Sequence, residues 1–200
     1  MCKTVGRLLA LLLVIIPVTV TVTAFLFCLI VRPNVVKFHV TDATLAQFSY
    51  TNNTLYYDLT LIVEVRNPNT NIRIHYNYME EVALYQNLKL CSLILGTYIQ
   101  PHKNTAVLTP VFKGQQVMSL NKDHILETYN DEKRSGIYHI DFKLYLKVKF
   151  DLGVYKTKNM KSTVTCNLQL PLQSYNGTST AGRFQLTRCN FDYKHILFIF

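Results

Sequence analysis

Seven glycines and no tryptophan in 200 residues leave little material for several common functional devices. A loop that cradles phosphate through backbone amides needs clustered glycines, and no such loop occurs. There is no Gly-x-Ser-x-Gly elbow to present a nucleophilic serine. The six histidines (His39, His75, His102, His124, His139, His195) never form His-Glu-x-x-His, and no Cys-x-x-Cys is present. Metal binding is therefore not legible from spacing. Glu80 and Glu81 are adjacent. On a strand, neighbours point to opposite faces, so this pair cannot easily act on one substrate. The expectation is a protein that is not an enzyme, with no cofactor and no metal.

Negative charge is also missing where the chain begins. All twelve acids lie beyond residue 31, and Leu8 to Val31 carries no charge of either sign, with Arg7 and Arg32 at its borders. Those 24 residues would make a helix of about 36 Å, against a hydrocarbon core of about 30 Å. This predicts a single transmembrane helix that contacts the lipid bilayer. Pro17 is tolerable there if neighbouring groups satisfy the freed carbonyl. A cleaved signal peptide would need a shorter apolar run and a better cleavage site than Val22-x-Ala24. A buried core helix is the third reading, and all-round apolarity argues against it in a chain otherwise made of strands. The expected organisation is a short cytosolic tail (1–7), the span (8–31) and an extracytoplasmic domain (32–200). Lys3 and Arg7 orient the tail inward, although Arg32 and Lys37 make the bias small.

Beyond the span the pattern has period two. Leu55, Tyr57, Leu59, Leu61, Val63 and Val65 alternate with polar neighbours, as do Tyr138, Ile140, Phe142, Leu144, Leu146, Val148 and Phe150. Shorter strands are expected at Val35–Val40, Thr44–Tyr50, Ile72–Tyr76, Glu81–Gln86, Leu88–Ile94, Ala106–Phe112, Thr163–Leu170 and Gly182–Cys189. One short helix is expected over Gln115–Tyr129, ended by a loop at Asn130–Gly136. The fold class is mainly β: an immunoglobulin/fibronectin-III-like β-sandwich. Asn67-Pro68-Asn69 interrupts two strand patterns. Proline ends a sheet ladder, and asparagine bonds nearby amides and tolerates left-handed backbone, so this reads as a structural turn. Proline in its middle position also means that it is not a glycosylation sequon.

Asn52-Asn53-Thr54 and Asn176-Gly177-Thr178 are sequons, which makes Asn52 and Asn176 candidate glycosylation sites. Of five cysteines, Cys2 and Cys28 flank the span. Cys2 is either a lipidation site or an exposed thiol. Cys166 and Cys189 are either a disulfide pair or two small buried hydrophobes.

The formal charge is +9, of which +7 belongs to residues 32–200. Lys143, Lys147, Lys149, Lys156, Lys158 and Lys161 crowd one stretch, opposed by Asp151 alone. Lys143, Lys147 and Lys149 share a strand face, at about 6–7 Å for residues two apart. Such a face attracts polyanions, here acidic cell-wall polysaccharide or anionic lipid. The plain alternative is a solvated face. Nucleic acid is not expected outside the membrane. The C-terminal run Ile196–Phe200 is too short for a lipid-anchor signal and reads equally as a last strand or a tail.

A short basic tail, one apolar span, "VRNPNTNIRIHY", "ALYQNLKL", "QPHKNTAVLTPVFKGQ" and "RCNFDY" together resemble the plant NDR/HIN-like family (non-race-specific disease resistance and harpin-induced proteins), whose members carry a late-embryogenesis-abundant group 2 domain. The family's usual aromatic tripeptide and glycine before the histidine are replaced by Tyr98-Ile99-Gln100-Pro101. The resemblance implies a β-sandwich, cysteines placed as Cys166 and Cys189 are, which favours their pairing, and a plasma-membrane protein with its domain in the apoplast. The endoplasmic reticulum membrane is the alternative location. It also implies a role in defence or stress through contacts with membrane or defence-signalling proteins. The competing reading is a structural protector against dehydration.

Overall fold

The computed structural model describes residues 11–23, 25, 34–117, 123–153, 155–173 and 182–192. Residues 11–23 form a helix, α1. Its apolar side chains are exposed, Leu13 at 74% and Val14 at 62%. The hydroxyls of Thr19, Thr21 and Thr23 donate back to the carbonyls of Ile16, Val18 and Thr19. Among the described residues, no helix is long and apolar enough to cross a membrane. The remainder of the expected span Leu8–Val31, like the expected tail 1–7, lies outside the described residues apart from Phe25.

From Lys37 onward the chain is mainly β. The strands are β1 (Lys37–Thr51), β2 (Thr54–Arg66), β3 (Arg73–Tyr85), β4 (Leu88–Leu95), β5 (Tyr98–Gln100), β6 (Thr105–Leu108), β7 (Val111–Val117), β8 (Ile137–Asp151), β9 (Met160–Pro171), β10 (Thr187–Arg188) and β11 (Asn190–Phe191). One antiparallel sheet runs β10-β1-β2, with β6 and β7 sharing the far edge of β2. The other runs β11-β9-β8-β3, with β4 and β5 sharing the far edge of β3. In each sheet a long strand is thus covered by two short ones in succession.

Period two decides which side of each strand is buried. The alternate apolar residues of β2 and β8 named above are all buried. The two sheets meet through aromatic contacts: Phe112 of β7 with Phe142 of β8 at 6.1 Å, and Phe48 of β1 with Tyr85 of β3 at 5.0 Å and with Tyr138 of β8 at 4.7 Å. Fully burying such a side chain contributes about 1.5–3 kcal/mol. Cys166 and Cys189 form a disulfide. Cys189 lies between β10 in one sheet and β11 in the other, so the bond fixes the segment where the chain changes sheets.

Several expected boundaries are corrected. Lys37–Val40 of the first expected strand and all of Thr44–Tyr50 belong to the single strand β1, whose register shifts between Val40 and Asp42 and between Leu45 and Gln47; Val35 and Val36 precede it. Such bulges break the alternation without breaking the strand. Ile72–Tyr76 and Glu81–Gln86 likewise fall largely within β3, which shifts between Tyr76 and Tyr78. Ala106–Phe112 is two strands, and Gly182–Leu186 is not strand. Gln115–Val117 is not helical, because it pairs with Thr54–Tyr56 as the end of β7. The helix α2 is Asp123–Ser135 and runs through most of the expected Asn130–Gly136 loop. Lys133 and Arg134 suit its C-terminal dipole. Gly136, at φ 73°, caps it by donating to the Glu132 carbonyl at 2.8 Å.

Candidate functional site

Asn67, Pro68 and Asn69 form a corner between β2 and β3, and the two asparagines are fully buried. Asn67 Nδ2 donates to the carbonyls of Ile72 and Pro101, both at 2.9 Å. Its Oδ1 accepts from the backbone and side-chain amides of Asn69 at 3.1 and 3.0 Å. Gln100, also buried, donates to the carbonyls of Val65 and Asn104 and accepts from the Tyr76 hydroxyl at 3.0 Å. These amides replace the ladder partners that backbone groups lose where strands end. The corner is a structural lock, and sequence reasoning missed Gln100 because nothing local marks it.

At the same end of the domain, Asp151 is paired with Arg73 across the β3–β8 ladder. Its carboxylate is almost fully buried and takes Arg73 at 3.0 Å, His75 at 3.2 Å and Lys156 at 3.5 Å. The Gly153 amide donates to it at 2.9 Å. That amide bond, with the histidine and the two cations, outweighs desolvation and holds the carboxyl down, at about 2. This cluster joins residues up to 83 positions apart, so no motif could announce it.

Lys143, Lys147 and Lys149 lie on the outer face of β8, with Tyr145 exposed between the first two. None of the three forms an ion pair with another described residue. The sheet brings in further groups from its neighbours. Lys161 of β9 stands opposite Lys147, and Thr163 and Thr165 stand opposite Tyr145 and Lys143. From β3, Tyr78 places its ring 5.3 Å from the Lys147 ammonium. Glu80, on the same face, is occupied by Tyr78 at 2.9 Å and Lys89 at 3.2 Å. The result is a strip of cations, two phenol rings and hydroxyls. Such a strip attracts an extended anionic chain and can stack against its rings.

Two carboxylates have other settings. Glu132 of α2 accepts from the Tyr85 hydroxyl at 2.8 Å and lies 2.8 Å from Nδ1 of His139, which docks the helix on the second sheet. Glu81 is paired with Leu93 and Leu144 and is 1% exposed, with no partner for Oε1. Burial pushes its carboxyl up to about 7. Asn52 lies at the β1–β2 hairpin tip, exposed, with Asn53 beside it. Their φ values of 50° and 58° suit a tight primed turn. Asn176, Cys2 and Cys28 are outside the described residues, and Cys91 is a half-buried free thiol.

No family model matches the chain. Over 175 residues it is 43% identical to NDR1/HIN1-like protein 10 of Arabidopsis thaliana, covering 86% of this chain and 77% of that one. The chain belongs to the NDR1/HIN1-like family. NDR1/HIN1-like protein 3 of the same plant is 38% identical over 185 residues, covering 90% of this chain and 78% of that one. NDR1/HIN1-like protein 2 is 38% identical over 167 residues, covering 82% and 68%. A solution structure of another Arabidopsis thaliana protein is 16% identical over 70% of this chain and 84% of that one. Its TM-score of 0.34 is too low to bear on the fold. The stretches that carried the family resemblance, Asn67–Asn69 and Gln100–Gln115, meet in space at the buried corner.

Proposed function

We propose that this NDR1/HIN1-like chain is a single-pass, membrane-anchored plant defence or stress-response protein that works by contact and not by catalysis. Its domain is an immunoglobulin/fibronectin-III-like sandwich held in the apoplast, and it engages acidic wall polysaccharide. The observation that carries this reading is the row Lys143, Lys147 and Lys149, which has no carboxylate partner among the described residues and is extended by Lys161, Tyr78 and Tyr145. The uncharged run Leu8–Val31 supports the anchor, as do the exposed apolar side chains and internally bonded threonines of α1. Family membership supports the defence or stress role. A glycan on Asn52 would sit at the hairpin tip.

The test is retention on immobilised pectin under a salt gradient. The Lys143→Gln, Lys147→Gln, Lys149→Gln triple variant should elute at clearly lower salt than the wild type. Elution at the same salt would contradict the reading.

A further inference from the structure

The lysine strip is not the only basic surface. Strand register gathers a second one at the end of the domain where the chain enters from residue 34. Lys37 opens β1 and pairs with Arg66, the last residue of β2. Arg66 pairs with Thr105, and its guanidinium is held by the Lys103 carbonyl at 3.1 Å and the Thr105 hydroxyl at 2.9 Å. Lys103 sits in the turn before β6 with φ 50°, and its amide bonds the Asn69 carbonyl of the corner. Arg73 opens β3 opposite Asp151, whose bridge to Lys156 brings in the β8–β9 connection that also carries Lys158. All six cations are exposed. The acids at this end are few. Asp151 is buried and already shared by Arg73, His75 and Lys156. Glu64 is half-buried, and Asp192 is exposed. The opposite end is different: there α2 contributes Glu127, Asp131 and Glu132, and β8 contributes Asp141 near its start.

We propose that this basic end is a contact for the phosphate-bearing headgroups of anionic phospholipids. Lys37, Arg66, Arg73, Lys103, Lys156 and Lys158 make the contact; the corner holds the Lys103 backbone, the Lys103 carbonyl and Thr105 hold Arg66, and Asp151 holds Arg73 and Lys156. The inference rests on the proposed span. If the chain leaves the hydrocarbon at Val31, only residues 32–36 separate it from Lys37. Five residues reach at most roughly 17 Å. The headgroup layer itself is about 5–7 Å deep on each side, and charge interactions persist over about 8–10 Å at physiological salt. At full stretch the linker leaves Lys37 about 10–12 Å beyond the headgroup layer, at the edge of that range, and any shorter path brings Lys37 within it. Their arrangement is more ordered than that of a flexible basic linker, because Arg66 and Arg73 are fixed by named partners.

The experiment uses the full chain in lipid nanodiscs of phosphatidylcholine alone or with phosphatidylglycerol, followed by amide hydrogen exchange. Exchange in peptides covering 101–105 and 152–158 should slow several-fold with phosphatidylglycerol, and high salt should reverse the effect. Peptides from α2 should not respond. The Lys37→Gln, Lys103→Gln, Lys158→Gln variant, which touches only exposed side chains, should lose the protection. Carbonate extraction in parallel separates the two claims. A chain that resists extraction yet exchanges identically in both lipids overturns the headgroup contact alone. A chain that carbonate removes overturns the anchor, and the enforced approach with it.

Discussion

The two ends of the β-domain are closed by different physics. At the end where the chain enters, buried amides take over the backbone partners that strands lose on stopping: Asn67, Asn69 and Gln100 bond the carbonyls of Ile72, Pro101, Val65 and Asn104 and the Asn69 amide. At the other end, Tyr129 of α2 joins Phe48, Tyr85 and Tyr138 in a ring cluster. An amide lock is directional, so removing one member leaves its partners desolvated and unpaired. A ring cluster is held mainly by area, and it tolerates the loss of a polar handle. The first end can therefore display charged groups in fixed positions, while the second mainly seals the core.

The largest effect should come from breaking the amide lock. Asn67→Leu keeps the bulk but removes four hydrogen bonds, at about 1 kcal/mol each. It should therefore cost about 4 kcal/mol in a urea unfolding curve. Replacing Cys166 and Cys189 by serine opens a loop of 23 residues. The expected loss is about 3 kcal/mol, read as a lower melting temperature that no longer responds to reductant.

Glu81 tests the core between the two ends, and its effect depends on pH. Its carboxyl is held up near 7 by burial, against 4.5 when exposed. Below pH 4.5 both folded and unfolded forms are protonated, so there is no cost. As pH rises from 4.5 to about 7 the unfolded chain ionises first, and stability is lost; above that the loss is constant. The full loss is roughly 3–4 kcal/mol at about 1.4 kcal/mol per unit. Glu81→Gln should match the wild type near pH 4 and exceed it above pH 7 in denaturant midpoint. The smallest effect belongs to the ring cluster. Tyr129→Phe removes only the hydroxyl that accepts from the Tyr50 amide at 3.0 Å. It should cost about 1 kcal/mol.

Legibility in the sequence followed the same division. The buried faces of β2 and β8 could be read because an uninterrupted alternation has one meaning in a half-buried strand. The single strands β1 and β3 looked like four pieces because bulges near Thr41, Ala46 and Asn77 shift the alternation. α2 was misplaced because Asp131, Glu132, Lys133 and Arg134 resemble a solvated loop. Their helical state depends on Tyr129 and Glu132 of the same helix being buried against the sheets, which is a tertiary effect. The lysines of β8 were visible from spacing. Lys161, Tyr78 and the Asp151 cluster join by strand pairing between distant segments, and no local pattern encodes that. The core position of Glu81 followed in principle from its adjacency to Glu80, since one of two strand neighbours must face inward.

The most direct test of the contact mechanism is the salt dependence of affinity for polygalacturonate, measured for the wild type, the Lys143/Lys147/Lys149 glutamine variant and the Lys37/Lys103/Lys158 glutamine variant. The account predicts weaker binding and a shallower salt slope for the first variant, with the second close to wild type. Equal slopes for all three proteins, or a larger change in the second variant, would contradict the assignment of the strand face as the polysaccharide contact.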